Sequence, residues 1–386
     1  MSRIYIFTGK GGVGKTSTAT AHAVKSANDG VKTLLVSTDM AHNLGDLFEK
    51  ELGREPVEII PNLDVYEIDP EYVLEHDFHE MSESLRKMIS LDSDVGMEDF
   101  GMIPGMEELV SLLKIAEVYK EGIYGRIIVD CAPTGETLSL LKFPELLSWY
   151  VEKFLPVGKV AIRVLAPVSK KLLKVELPNR EAINDIERMY LKLVELQELL
   201  KDREITSIRL VAVPEKMAVE ETKRNYMYMN LYNFNVDGIY INRILPKDID
   251  NKFFDKWLEI QGRYVIQLEE CFTGLPIWYI RWYDEELKGL DAVGRICRDV
   301  LTEDVFASRM DGPREEFREN EQGYLLRVPI PYVEKDELDV YQSESDVVIK
   351  LGNFKRNIPL PDSIRTYEIT SAKLEKEYLN MQFELK

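Results

Sequence analysis

Residues 9–16 read Gly9-Lys10-Gly11-Gly12-Val13-Gly14-Lys15-Thr16, between an apolar run over residues 4–7 and a stretch that can start a helix. The four glycines allow the backbone to turn its N–H groups towards a phosphate without Cβ clashes. The helix that follows directs the positive end of its dipole at the same anion. In this pattern Lys15 can reach the β- and γ-phosphates, and the Thr16 hydroxyl can ligate Mg²⁺. We therefore predict a nucleotide-binding strand–loop–helix unit that extends to Ser17.

Lys10 narrows the class of phosphate loop, because a generic loop needs only the second lysine. A lysine directly after the first glycine resembles the deviant, KGGVGKT-type loops. In those families this lysine crosses a dimer interface to the partner's nucleotide. The resemblance implies a homodimer that encloses two ATP molecules, and the alternative is a solvated surface lysine.

Composition and charge exclude several classes of protein. The 386 residues include 49 Lys and Arg and 68 Asp and Glu, for a formal net charge of −19. This balance argues against a nucleic-acid partner, which needs a basic surface. Three dispersed cysteines form no C-x-x-C motif and predict a reducing compartment without disulfides. With no signal peptide and no apolar run of about 18 residues, we expect a cytoplasmic chain that reaches a membrane only through a partner.

Short apolar runs alternate with helical stretches over residues 1–306. Strands are predicted at residues 4–7, 33–37, 65–68, 127–130, 208–213 and 238–241 and near 276–277. Such alternation predicts an α/β fold with a mostly parallel, doubly wound sheet. Ligands bind such sheets at the carboxyl ends of the strands. Two longer segments, about 70–120 and 137–205, have no strand signal and predict a helical insertion.

The composition of the sequence changes after residue 306. Residues 307–322 are polar and charged, which predicts a linker. Residues 323–386 contain short runs with partial alternation, separated by Pro, Gly and Asp. They predict a small C-terminal all-β sandwich.

Two acidic residues follow predicted strands at the edge where the phosphate loop lies. Asp39 follows the second strand, where a carboxylate can hold and polarise the water that attacks the γ-phosphate; the alternative is a helix N-cap. Asp130 ends the fourth strand, where an acid is the usual second anchor for Mg²⁺, often through water. The segments beyond are candidate switches. His42 and Asn43 can respond to the phosphate or only brace the turn, and Pro133-Thr134-Gly135 can sense the γ-phosphate.

Three segments together resemble the ArsA/Get3 family of ATPases: the loop at 9–16, DMAHNLGD at 39–46 and DCAPTGET at 130–137. The resemblance covers about residues 1–300. It implies a Mg²⁺-dependent ATP hydrolase with a P-loop NTPase sheet. In it, Asp39 positions the attacking water, and Lys10 and Lys15 are catalytic residues with it. The two Asp-containing segments are switches I and II.

The same resemblance implies a purine site. Glu215 and Asn242 match the purine-site segments of the family, and the Asn242 amide can read the adenine edge with a donor and an acceptor. Pro276 matches the last motif near the nucleotide. The chain departs from the family at residues 251–257, where zinc-clamped members carry C-x-x-C and this sequence has no cysteine. No zinc site is therefore predicted.

The C-terminal segment carries a second resemblance. Residues 354–361, 369–374 and 378–381 resemble the latter half of an α-crystallin (small heat-shock protein, Hsp20) domain. The Asn-Gly turn that usually precedes its last strand is replaced by Glu375-Lys376-Glu377. The alternative is an unrelated β-sandwich.

Members of the Get3 type use the helices between the switches and after switch II to form a hydrophobic groove, which holds the transmembrane segment of a client. Candidate groove residues in this chain are Met102, Met106, Leu109, Leu113, Trp149, Tyr150 and Phe154. Methionine suits varied apolar clients, but Met and Leu at helical spacing more often pack in a core. We expect an ATPase that handles hydrophobic, tail-anchored-like protein segments. The alternative is the catalytic subunit that energises an arsenite or anion efflux pump through a membrane-protein partner.

Overall fold

The computed structural model describes most of the chain, in two domains. Described are residues 2–39, 43–79, 106–131, 185–302, 304–307, 309, 311–343, 346–352, 354–364 and 366–385. Residues 43, 106, 185–190 and 362 are described by their backbone alone. Among the helices of these ranges, none combines the length and the apolar character needed to cross a bilayer.

A mostly parallel sheet forms the centre of the larger domain. Its strands are β1 (Arg3–Thr8), β2 (Thr33–Ser37), β3 (Val57–Ile60), β4 (Leu63–Glu67), β5 (Arg126–Asp130), β6 (Thr206–Ala212), β7 (Val236–Ile244) and β8 (Ile277–Arg281). Their order is β3-β4-β2-β5-β1-β6-β7-β8; β3 pairs antiparallel with β4, and the other pairs are parallel. This arrangement confirms the predicted mostly parallel α/β sheet.

Helices cover both faces of this sheet. They are α1 (Lys15–Asn28), α2 (Asn43–Phe48), α3 (Pro70–His76), α4 (Met106–Glu121), α5 (Asp185–Lys201), α6 (Lys216–Leu231), α7 (Lys252–Cys271) and α8 (Gly289–Asp299). Successive residues of β1 point to opposite faces. Ile4 and Ile6 join the apolar core beneath α4, α5 and α6, whereas Tyr5 and Phe7 join the core beneath α1 and α8. The sheet is therefore doubly wound, and its strands are apolar on both sides.

The smaller domain consists of two antiparallel sheets. Its strands are β9 (Glu316–Asn320), β10 (Gly323–Pro329), β11 (Leu338–Ser343), β12 (Asp346–Leu351), β13 (Phe354–Pro359), β14 (Tyr367–Glu375) and β15 (Tyr378–Leu385). One sheet has the order β14-β15-β10-β9 and the other β11-β12-β13. Strand β9 lies within residues 307–322, the predicted linker, and pairs with β10. The C-terminal sheet therefore begins earlier than the composition indicated.

The two domains share one apolar core. Leu326 and Val347 of the C-terminal sheets belong to the same buried cluster as Tyr226 and Met229 of α6. Helix α6 connects the end of β6 to the start of β7, so its last residues lie at the amino edge of the parallel sheet. The C-terminal domain packs against that end of the helix. The phosphate loop lies at the opposite, carboxyl edge.

Candidate nucleotide-binding site

The phosphate loop turns between β1 and α1 through two glycines with positive φ. Gly12 has a φ of 78° and Gly14 a φ of 94°, conformations that a residue with a Cβ rarely adopts. A Cβ on Gly14 would lie 2.1 Å from Asn242 Nδ2, and a Cβ on Gly9 would lie 2.1 Å from the carbonyl oxygen of Val211. Positions 9 and 14 need glycine because atoms of β6 and β7 lie where a Cβ would be.

The loop surrounds the Lys15 ammonium group. Lys15 begins α1 and is only 6% exposed, and its Nζ lies 3.5 Å from the Lys10 carbonyl oxygen. Gly11 and Gly12 are exposed above it, and Val13 anchors the loop in the core. The exposed glycine backbone and the buried ammonium group lie together at the start of a helix. This arrangement can bind a phosphate group from the solvent side.

Asp130 ends β5 beside the first turn of α1 and is 1% exposed. Within the described chain, neither of its carboxylate oxygens has a hydrogen-bond partner. Burial raises the pKa of Asp130 to about 7; the Thr16 hydroxyl and the Lys15 charge lower it, and the charge of Asp39 raises it. Thr16 thus acts on the carboxylate without completing a hydrogen bond of normal geometry. A buried, unpaired carboxylate next to a hydroxyl is a suitable partner for a cation.

Asp39 lies at the same edge of the sheet as Asp130. Strands β2 and β5 pair at Ser37 and Asp130, and the Thr38 amide donates to the Asp130 carbonyl oxygen at 3.0 Å. Helix α2 begins at Asn43, four residues after Asp39. The structure therefore brings both predicted acids to the phosphate loop.

Glu67 is a residue of this edge that the sequence analysis missed. One of its carboxylate oxygens accepts the amides of Leu44 and Gly45 at 2.8 and 3.1 Å. These amides lie in the first turn of α2, where N–H groups have no partner within the helix. Glu67 thereby fixes the first turn of α2, which lies within the predicted switch I segment. The signal in the sequence was an acid at the end of β4, as for Asp130 at the end of β5.

Asn242 and Glu215 both reach the carboxyl edge of the sheet. Asn242 Nδ2 donates to the Val13 carbonyl oxygen at 2.8 Å, and its Oδ1 accepts the Arg243 amide at 2.8 Å. Since an amide can make two bonds at each atom, it has one donor and one acceptor beyond these contacts. Glu215 is the exposed N-cap of α6, and its side chain makes no capping hydrogen bond. Their contact with a base stays a prediction.

Pro276 does not lie at this edge. It precedes β8, and its carbonyl oxygen accepts the Ile239 amide at 3.1 Å near the amino end of β7. Because β7 and β8 are parallel, Pro276 lies about 13 Å from the level of Asn242 along the strands. Pro276 was predicted to contact the nucleotide, and this position, away from the carboxyl edge, corrects that prediction. The residues that reach the nucleotide edge from β8 begin after its last residue, Arg281.

Two groove candidates are core residues. Leu109 and Leu113 of α4 are 3% and 4% exposed and pack in the main apolar core, which also contains Phe78 of the helical segment. Within the described residues, both side chains pack in the apolar core between the sheet and its helices and not on an exposed face. Asn43 and Met106 are placed only as the first residues of α2 and α4.

Several predicted residues lie outside the described ranges. From the switches these are His42, Pro133, Thr134 and Gly135, and from the groove they are Met102, Trp149, Tyr150 and Phe154.

A buried polar network lies beneath the phosphate-loop helix and was not predicted. Arg209 of β6, 1% exposed, donates from Nε to Asp237 Oδ1 at 2.5 Å and from Nη1 to the Tyr240 hydroxyl at 3.2 Å. The Tyr240 hydroxyl lies 2.7 Å from His22 Nε2, and His22 Nδ1 lies 2.7 Å from the Thr18 carbonyl oxygen. Burial and the Arg209 charge lower the pKa of His22 to about 3. The ring is therefore neutral, donates to Thr18 and accepts from Tyr240.

A sequence profile of the anion-transporting ATPase family matches residues 2–302. The chain belongs to this family. Membership makes it an ATP hydrolase, as predicted from the phosphate loop and the two acids. A second profile, of the HSP20-like domain found in ArsA, matches residues 321–383 of the chain. It confirms the predicted small heat-shock resemblance of the C-terminal domain.

The chain is similar over nearly its whole length to curated proteins. It is 34% identical to "Putative arsenical pump-driving ATPase" of Chlorobaculum tepidum, with 99% of this chain and 96% of that protein covered. "Putative arsenical pump-driving ATPase 1" of Aquifex aeolicus is 31% identical, with 97% and 98% covered. "ATPase ASNA1 homolog 1" of Paramecium tetraurelia is 28% identical, with 77% and 92% covered. The first two relatives thus span both domains.

Proposed function

We propose that the carboxyl edge of the sheet binds ATP with Mg²⁺ and that hydrolysis there drives a membrane export partner for an oxyanion of the arsenite class. The observation that supports the site is the Asp130 carboxylate, buried and unpaired in the described chain beside the phosphate loop. An ionised group in that position is costly unless a cation completes it.

In the proposed site, different residues bind the phosphates, the attacking water and the base. The loop amides at Gly11–Gly14 and the Lys15 ammonium group hold the β- and γ-phosphates. Asp39 holds the attacking water in line with the γ-phosphate and takes up its proton, which is the positioning that phosphoryl transfer requires. Asn242 and Glu215 contact the base.

The residues present fit a Mg²⁺ ion. The Thr16 hydroxyl would bind the ion, and Asp130 would hold it through water. Oxygen ligands of this kind, completed by water and phosphate, are those that Mg²⁺ prefers. When bound, the ion neutralises charge on the phosphate oxygens. The carboxylate of Asp130, which has no hydrogen-bond partner in the described chain, would then be satisfied by the water molecules of the ion.

We further propose that the functional unit is a homodimer in which Lys10 reaches the partner's nucleotide. Lys10 is half-buried at the mouth of the loop, and its carbonyl oxygen, not its ammonium group, is the atom near Lys15. Lys10→Ala should lose hydrolysis although Lys15 is intact. Mixing it with Lys15→Ala should restore one active site in the mixed dimer, whereas no recovery would contradict shared sites.

The relatives favour a pump-driving role over the handling of hydrophobic segments. Those named for arsenical pumps cover both domains of this chain, and the ASNA1 homologue covers less of it at lower identity. The burial of Leu109 and Leu113 also removes two residues from the proposed groove.

The cysteines argue against direct sensing of a metalloid by one subunit. Cys131 follows β5, Cys271 ends α7 and Cys297 lies in α8, and within the described residues no three metal-ligating side chains cluster. Burial raises the pKa of the Cys297 thiol to about 11, which disfavours the thiolate that a soft ligand needs. We therefore place the anion on the membrane partner.

One observation favours a second candidate function. The C-terminal domain is HSP20-like and so resembles the domains of small heat-shock proteins. This resemblance supports a role of the chain in binding exposed apolar segments of other proteins. That role would use the ATP cycle to bind and release a hydrophobic client.

Hydrolysis rates of the full-length chain separate the two candidates. ATP turnover is measured alone, with arsenite or antimonite, and with a peptide that carries a hydrophobic tail anchor. The pump-driving proposal predicts that the peptide leaves the rate unchanged. Severalfold stimulation by the peptide would contradict it and support the second candidate. Stimulation by the metalloid in peptide-free protein would contradict the second candidate, and it would also contradict our placement of the anion on the membrane partner.

A further inference from the structure

Helix α6 links the two edges of the sheet. It follows β6, which ends at Ala212, and it leads into β7, which starts at Val236. Its 16 residues span about 24 Å. The phosphate loop contacts the same strand end from which α6 departs, because Gly9 lies against Val211. A displacement of this helix along its axis would therefore move Glu215 relative to the loop.

The far end of α6 is closed by its own turn and by the other domain. Asn233 has a φ of 63°, its amide donates to the Asn230 carbonyl, and the Phe234 amide donates to the Met229 carbonyl at 2.8 Å. This pattern is a Schellman motif, and it leaves the Leu231 carbonyl without a partner from the helix. The guanidinium group of Arg356, on β13 of the C-terminal domain, donates to that carbonyl oxygen.

A ring of contacts holds Arg356 in place. Its other terminal nitrogen is paired with the carboxylate of Glu315. The Glu315 amide in turn donates to Asn233 Oδ1 at 3.1 Å, which returns to the end of α6. The Arg356 side chain is 6% exposed. A buried guanidinium group with both a carbonyl and a carboxylate partner is a strong, directional contact.

Further contacts join the same two elements. The Tyr232 hydroxyl donates to the Lys355 carbonyl oxygen at 3.2 Å, and the rings of Tyr228 and Phe354 lie 3.6 Å apart. The positive charge of Arg356 also faces the negative end of the α6 dipole. The two ends of the helix thus differ, because the C-terminus is buried and capped by another domain while Glu215 at the N-cap is exposed and makes no capping bond.

We infer that the C-terminal domain fixes α6 for nucleotide binding and that Arg356 is a positioning residue for the base end of the site. This inference rests on the proposed contact of Glu215 with the base. Arg356 acts through the helix, far from the phosphates. The residues that hold the phosphates and the water lie in the loop between β1 and α1, at the start of α1 and after β2, and they do not depend on it. Its loss therefore changes nucleotide affinity more than the chemical step.

The test compares full-length wild type with Arg356→Gln and with Arg318→Gln, which removes an exposed arginine of the same domain. Arg356→Gln should raise the KM for ATP about fivefold, the lower range of coupling between distant sites, with kcat changed less than twofold. Arg356→Lys keeps the positive charge but not the two terminal N–H donors of the guanidinium group, and it should show a smaller rise in KM than Arg356→Gln. Arg318→Gln should behave as wild type. An unchanged KM, or equal losses in kcat and kcat/KM, would overturn the inference.

Hydrogen–deuterium exchange of the wild-type protein provides a test that does not depend on a folded variant. Coupling is reciprocal, so ADP with Mg²⁺ should slow exchange of the Tyr232, Asn233 and Phe234 amides as well as those of the phosphate loop. Protection of the loop without any change at these three amides would overturn the inference and leave the proposed site intact. No protection at either place would instead contradict the proposed nucleotide site.

Discussion

Two buried carboxylates of the same sheet, Asp130 and Asp237, have opposite surroundings. Each is 1% exposed. Asp237 faces the guanidinium group of Arg209 at 2.5 Å inside the network beneath α1. Asp130, at the carboxyl edge, has no hydrogen-bond partner in the described chain, and burial raises its pKa. A buried charge that the chain pairs internally is costly to separate from its partner, whereas one left without a hydrogen bond beside a phosphate loop indicates a partner from outside.

The paired carboxylate should be the more important for stability. Asp237→Asn leaves the Arg209 charge buried without its partner, which costs about 3–5 kcal/mol. We expect a large fall in the free energy of unfolding, measured by urea denaturation of the ligand-free protein. The control is Asp248→Asn in an exposed loop, which should unfold as wild type does. A loss below about 1 kcal/mol would mean that the pair contributes no more than a surface contact.

The carboxyl edge should be the more important for turnover. Asp39→Asn keeps the shape of the side chain but cannot take up a proton, so kcat should fall about 100- to 1,000-fold while ADP affinity is retained. Asp29→Asn, at the distant end of α1, is the control and should hydrolyse normally. Near-normal turnover of Asp39→Asn would remove Asp39 from the reaction.

The buried network should make stability depend on pH. Burial lowers the pKa of His22 to about 3, below its value in an unfolded chain, so the unfolded state binds more protons between these values. Stability therefore rises with pH up to about 6.5 and is lost as pH falls, by about 1.4 kcal/mol for each unit. Between pH 7 and pH 5 wild type should lose about 2 kcal/mol more than His22→Gln, which keeps an acceptor for Tyr240.

The exposed histidine of α3 supplies the control for this prediction. His76→Gln, on a side chain exposed to solvent, should show the same pH dependence as wild type. Parallel unfolding curves for wild type and His22→Gln at both pH values would contradict a neutral, network-bound His22.

The sequence predicted those features that depend on local pattern. The glycines and lysines at residues 9–16, the apolar strands and the acids at their ends all have short-range signals, and the sheet and its edge followed from them. The small heat-shock resemblance of the C-terminal strands was also recognisable, and the family comparison confirms it.

Features that depend on pairing between distant residues were missed. Arg209 and Asp237 are 28 residues apart, and Arg356 lies 125 residues from the carbonyl that it caps. No periodicity marks such a contact. Pro276 was misplaced because the sequence motif did not show at which end of β8 it falls. Strand β9 was missed because its charged residues, exposed on an edge strand, have the composition of a linker.

Thermal unfolding of wild type and Asp130→Asn, with and without ADP and Mg²⁺ at pH 8, tests the contrast between the two carboxylates most directly. Because burial raises the pKa of Asp130, its ionised form weakens the ligand-free fold above that pKa. Ligand-free Asp130→Asn should therefore melt no lower than wild type, and it should lose most of the extra stabilisation that Mg²⁺ adds to ADP. A variant that melts several degrees lower without ligand, yet keeps the full Mg²⁺ effect, would show that Asp130 is a structural residue like Asp237.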